Sequence, residues 1–270
     1  MNKHSLTFPL LSKRSSARKN VLFCLLLSLV ALAGIQLQAQ NLTEGLASQW
    51  LSDDYISGSN WVDRISGVAA VTDGAPTPVV VANAFGVHNG VQRNTGTTGN
   101  GGFLIPTGNP PSGVTNYTIA VVIQAATGGP SGSSYYSDDI IFGYDVAGTG
   151  QPDWGISWGG SSSLVGQGIV AGIGRAGGDS GLQTSSTALA LYATHAAVFQ
   201  INGSSGTETL FVDGLQVGQN TGLTMLVPAN YNGNGKIPLL SSMNSTIATA
   251  FTGPLAEVAS IPMRRLAALR

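Results

Sequence analysis

The dipeptide Asp213-Gly214 sits between the runs ETLFV and LQVGQ, and no other pair of residues constrains this chain as strongly. A two-residue hairpin connection needs positive φ at both central positions, which Gly adopts without steric cost and Asp tolerates. With that pair at the tip, Val212 faces Leu215, Phe211 faces Gln216 and Leu210 faces Val217, and directly opposed residues share one face. One face of the hairpin is therefore expected to be wholly aliphatic, built from Leu210, Val212, Leu215 and Val217.

The same period of two recurs along the chain. NYTIAVVIQ places Tyr117, Ile119, Val121 and Ile123 on one face, DIIFGYDV places Ile140, Phe142 and Tyr144 together, and WGISWGG does the same for Trp154, Ile156 and Trp158. HAAVFQING and FTGPLAEVAS supply further extended segments, and between the strands lie turn clusters such as TGNPPSG, TGGPSGSS and RAGGDSG. No long stretch carries a 3.6-residue apolar stripe; the best, MRRLAALR, is about two turns, below what an isolated helix needs. Many short strands with Gly-rich turns and no alternating helices predict an all-β sandwich or jelly roll of two antiparallel sheets.

The start of the chain reads differently. Lys3, Lys13, Arg14, Arg18 and Lys19 precede VLFCLLLSLVALAGI, and a small residue follows at Ala39. This is the pattern of a signal peptide spanning residues 1–39, with an apolar run too short for a comfortable membrane span. The expected domain then covers residues 40–262, followed by a short tail, 263–270, with the start of a helix. Cleavage removes five of the twelve basic residues and leaves seven against thirteen acidic ones, net −6. Such a chain has no basic stripe for nucleic acid and no attraction to anionic membranes. Only 9% of residues are charged and 37 are Gly, so Ser, Thr, Asn and Gly must form much of the surface. Cys24 lies in the leader, which leaves an exported domain that relies on burial rather than disulfides.

Several stretches, in order, resemble bacterial laminin G-like domains of the concanavalin A-like superfamily. QWLSDDYISGSNWVDRISG is similar to their opening, YTIAVVIQ to their first long strand, and HAAVFQING to the strand before an Asn/Asp-Gly turn. ETLFVDGLQVG is similar to their Leu-Tyr-Val-Asp-Gly hairpin and FTGPLAEV to their closing strand, so the matches run from about residue 46 to 258. The resemblance implies a jelly roll of two curved antiparallel sheets. It implies no single activity, because members include glycan-binding modules, adhesive segments and, more distantly, glycoside hydrolases.

Three short motifs resemble catalytic or cofactor signatures and lack the context. GISWG, residues 155 to 159, fits Gly-x-Ser-x-Gly, but Ser157 lies within an alternating strand with no helix after it. GDSG, residues 178 to 181, is followed by Leu182 rather than Gly, and neither His88 nor His195 sits in a matching histidine segment. GIGRAG, residues 172 to 177, fits Gly-x-Gly-x-x-Gly but runs into GDSGLQTSS, where the dinucleotide motif requires a helix. A glycosidase usually needs two carboxylates flanking one bond. The only glutamates are Glu44, Glu208 and Glu257, far apart in sequence, and the pairs Asp53-Asp54 and Asp138-Asp139 point to opposite faces if extended.

Sugar binding uses an aromatic face with amide and carboxylate partners. The components to inspect are Trp158, Tyr144, Tyr135, Asp138 and Asn232, with core packing as the rival reading for Trp154 and Trp158. Zinc is disfavoured by two histidines and no thiol after the leader. A structural calcium ion would draw on Asp138, Asp139, Asp145 and Glu257, although Glu257 reads equally as a solvated edge residue. The expected function is an exported, non-catalytic module that binds glycans or extracellular proteins, with a purely structural surface module and a divergent glycoside hydrolase as alternatives.

Overall fold

A computed structural model of the chain describes residues 46–94, 101–106, 114–131, 134–136, 138–144, 153–175, 178–184, 187–225, 236–240, 251 and 253–262. The expected leader and tail, Asp145 and Asn232 lie outside these residues. In chain order the strands are β1 (Ser48–Leu51), β2 (Trp61–Val62), β3 (Ala69–Thr72), β4 (Val79–Phe85), β5 (His88–Gln92) and β6 (Phe103–Pro106). Then follow β7 (Asn116–Gln124), β8 (Asp139–Tyr144), β9 (Trp154–Gly159), β10 (Gly168–Arg175) and β11 (Gly178–Gln183). The last are β12 (Thr194–Asn202), β13 (Thr207–Val212), β14 (Leu215–Asn220), β15 (Lys236–Leu239) and β16 (Pro254–Pro262). One short 3₁₀ turn, Ser52–Asp54, follows β1 and another, Ser162–Leu164, follows β9.

The strands form two antiparallel sheets, as the alternation predicts, and each has eight strands. The first runs β14-β13-β12-β7-β16-β5-β4, with β1 also pairing β16; the second runs β11-β10-β9-β8-β15-β6-β3-β2. They stack as a jelly-roll sandwich. Tyr117, Ile119, Val121 and Ile123 of β7 are buried, and so are Ala197, Phe199 and Ile201 of β12. Rings meet across the interface: Trp50 lies 6.1 Å from Phe142, and Tyr117 lies 6.4 Å from Trp154. Tyr55, Trp61 and Phe103 make a second aromatic cluster. Burial of each large apolar side chain contributes about 1.5–3 kcal/mol.

The opening segment WVDRISG folds around a buried carboxylate. Asp63, 1% exposed, accepts from the amides of Gln49 and Ile65 at 2.7 and 2.9 Å and from the Ser66 hydroxyl. Gly67, at φ +72°, closes the turn.

The Asp213-Gly214 hairpin has positive φ at both residues, 50° and 79°. Asp213 does more than turn the chain: Oδ1 accepts from the Ala196 amide at 2.9 Å and Oδ2 meets Nδ1 of His195 at 2.8 Å. The aliphatic face departs from expectation. Leu210 pairs with Gly218 rather than Val217, because a bulge between Leu210 and Phe211 leaves Val217 as the extra residue, and Leu215 at the tip is 71% exposed.

β9 and β10 are buried on both faces. Their inward residues reach the core, while their outward face is covered by Gly129, Tyr135, Asp138 and Leu164. Opposed glycines form a row across this outer face: Gly143, Gly155, Gly172 and Gly181 on β8, β9, β10 and β11. Tyr135, 1% exposed, lies on that row. A Cβ on Gly172 would stand 2.5 Å from its Cδ1, and one on Gly155 3.1 Å from its Cδ2.

Candidate functional site

The outward face of the first sheet carries a groove of about 280 Å³, lined by Leu51, Ser52, Asp53, Phe85, His88, Val122, Thr194, Ala256 and Glu257. Its floor follows from register. Leu51 of β1 opposes Glu257 of β16, which opposes Val122 of β7, so these three share one cross-strand row. Thr194 enters from the start of β12.

Glu257 is outward because of a bulge. Simple alternation from buried Leu255 would turn residue 257 inward, but the register shifts between Leu255 and Glu257. Ala256 and Glu257 then both face the groove, and Val258 returns to the core. Gln49, one step along the same face of β1, donates its Nε2 to Oε1 of Glu257 at 2.7 Å. Because β16 lies between β7 and both β5 and β1, Glu257 is not the edge residue considered from sequence.

The rim is fixed by the 3₁₀ turn. The Asn89 amide donates to Oδ1 of Asp53 at 2.8 Å, Nδ1 of His88 meets Oδ2 at 2.7 Å, and the Ser52 hydroxyl donates to the Asn89 carbonyl at 2.5 Å. The Asn89 amide, helped by His88, holds the Asp53 carboxyl below its usual range, so it stays ionised. Asp54 turns away to a two-bond pair with Arg64, both contacts 3.0 Å. The adjacent aspartates do diverge, through a helical turn rather than an extended strand.

The residues singled out from sequence lie elsewhere. Trp158 is 1% exposed, faces the core and donates its indole N–H to the Thr127 carbonyl at 2.9 Å, so it offers no face for stacking. Tyr135 is buried on the glycine row, and Tyr144 is half-buried against the core. Asp138, 3% exposed, accepts from the Gly160 amide at 3.1 Å. Of the calcium candidates, Asp139 begins β8 of the second sheet with Asp138 just before it, Glu257 lies on the outer face of the first sheet, and Asp145 lies outside the described residues. Among the described residues, no three metal-ligating side chains converge.

The described residues of the three motif look-alikes are strand. Ser157 is fully buried in β9 with its hydroxyl on the Val170 carbonyl, the first four residues of GIGRAG, up to Arg175, end β10, and Ser180 of GDSG sits in β11. Sequence reasoning missed the site's Phe85, His88, Val122 and Thr194. Outward positions on β7 and β12 could have flagged the floor, but the Asp53–His88 contact spans 35 residues and has no local signature.

No family model matches the chain, and no curated protein matches its sequence. Solved structures do. The binding domain of Paraclostridial Mosquitocidal Protein 1 superposes with a TM-score of 0.53 at 14% identity, over 82% of this chain and 50% of that one. Domain 4 of AbnA, a GH43 extracellular arabinanase from Geobacillus stearothermophilus solved in complex with arabinotriose, gives 0.51 at 12% identity, over 80% and 92%. The receptor-binding domain of botulinum neurotoxin mosaic serotype C/D gives 0.53 at 12% identity, over 82% and 48%. The chain thus spans about half the length of the two toxin domains. At such identities the likeness is one of fold, and none of the three bears the laminin G name that the motifs suggest.

Proposed function

We propose that this chain is an exported, non-catalytic module that binds a glycan in the groove on the outer face of its first sheet. The groove carries the reading: an apolar floor of Leu51, Val122 and Ala256, with Phe85 beside it, is flanked by polar groups already fixed in place, as small-ligand sites generally are. The arabinotriose complex of AbnA domain 4 supports a saccharide on this fold. Both oxygens of Asp53 are engaged and its carboxyl is held ionised, which suits orientation of a ligand and not proton donation to a leaving group. Export is supported by the basic and then apolar N-terminal sequence, and no helix among the described residues is long and apolar enough to cross a membrane.

Filling the floor tests this. Val122→Lys should weaken binding of any array-positive oligosaccharide at least tenfold, about 1.4 kcal/mol, with the melting temperature nearly unchanged because the side chain points outward. Isothermal titration of wild type and variant decides it; equal affinities would move the site off this face.

A further inference from the structure

The polar atoms that line the groove are mostly acceptors. Glu257 presents a carboxylate whose Oε1 is oriented by Gln49, Asp53 presents a second carboxylate, and His88 has already directed Nδ1 to Asp53. The Ser52 hydroxyl donates to the Asn89 carbonyl. No Lys or Arg is among the lining residues. The guanidinium that acts on both carboxylates, Arg64, is tied by two bonds to Asp54. Asp53 is paired with His88, whereas Glu257 is met by the neutral amide of Gln49, so a negative charge stands beside the apolar floor and selects ligands by charge.

We infer that the groove takes an amino sugar: the protonated amine of a glucosamine residue meets Glu257, and the apolar face of the ring lies on Val122. This rests on the glycan-binding reading above and adds the ligand's charge to it. The cross-strand row places Glu257 one strand spacing, about 4.8 Å, from Leu51 on one side and from Val122 on the other, so a ring lying on Val122 has an edge at the carboxylate. The bulge at Ala256 is the device that makes this possible, since without it residue 257 would point to the core. A groove of about 280 Å³ sits at the lower end of small-ligand sites, about 300–1,000 Å³, and suits one or two sugar units rather than a long chain. Acidic sugars are repelled by the same two carboxylates.

The test titrates the full chain at pH 6 with three probes: a fully de-N-acetylated glucosamine trimer, its N-acetylated counterpart and sialyllactose. The glucosamine trimer is expected to bind at least tenfold more tightly than the acetylated one, to lose that advantage in Glu257→Gln, and to weaken as salt rises from 50 to 300 mM, and sialyllactose is expected not to bind. Glu257→Gln keeps the size of the side chain and an acceptor for Gln49; Asp53→Asn serves as a second variant should the first lose its fold by circular dichroism. Equal binding of both trimers, insensitive to Glu257→Gln yet abolished by Val122→Lys, overturns the amino-sugar assignment and leaves the glycan groove standing. Binding of neither trimer overturns the amino-sugar assignment and leaves the glycan groove to the array-positive oligosaccharide, whereas binding untouched by Val122→Lys overturns both.

Discussion

Removing the Asp63 carboxylate would strand three donors at once, the amides of Gln49 and Ile65 and the hydroxyl of Ser66. A donor left without a partner out of water costs about 1–3 kcal/mol, and the donors of exposed Ile65 and Ser66 can turn to water whereas the Gln49 amide is half-buried. Asp63→Ala is therefore expected to lower unfolding free energy by about 2 kcal/mol in urea melts, and Asp63→Asn by less, because one acceptor oxygen survives. This residue shows what a sequence reveals at the smallest scale. The stretch WVDRISG was legible as a structural signature because its hydrogen bonds close within about 14 residues. Trp158 and Tyr135 were not assignable in the same way. Alternation reports that a side chain has a face, but not whether that face meets a core, a covering loop or solvent.

At the scale of strands, the two sheets are joined by a buried polar contact that alternation gives no hint of. Glu208 of β13 is fully buried among inward residues, and its Oε1 accepts from Ser180 of β11 at 2.8 Å and from Asn220 of β14 at 2.6 Å. Burial pushes its carboxyl above the ordinary value, against the opposing effects of Asn220, Ser180 and Arg175. Arg175 of β10, Asp179 of β11 and Tyr117 of β7 are the other ionisable groups whose charges interact here, and burial raises Asp179 as well. A carboxyl raised on folding stabilises the native state at acid pH and withdraws that support as pH climbs through its folded value. Stability should accordingly decline from pH 4 toward pH 8, with a shallower slope in Glu208→Gln and a higher urea midpoint for the variant at pH 8. Matching slopes for the two proteins would remove Glu208 from the account. Bulges set the limit of legibility at this scale. Strand existence on β7, β9 and β12 follows from composition and period, but the bulges at Val217 and Ala256 each move side chains to the other face, and nothing local in QVG or LAE announces them.

For the molecule as a whole, the sandwich architecture followed from the period of two and the Gly-rich turns, while the groove did not, since β1, β5, β7, β12 and β16 are assembled from opposite ends of the chain. The glycine row on the second sheet explains a different kind of misdirection. Gly155 belongs to GISWG and Gly172 to GIGRAG, so both enzyme-like spacings contribute residues to the floor beneath Tyr135. A Cβ at Gly172 would also stand 2.3 Å from the Ser180 carbonyl oxygen, so Gly172→Ala is expected to cost about 1–3 kcal/mol by overpacking. Tyr135→Ala, which empties the space from the other side, should relieve part of that cost, and a double-mutant cycle by thermal melting would read the coupling as less than additive. What a motif scan takes for the imprint of a cofactor is the footprint of the protein's own tyrosine: in this family of shapes, tolerance for bulk along those four positions and the size of the ring above them should drift together.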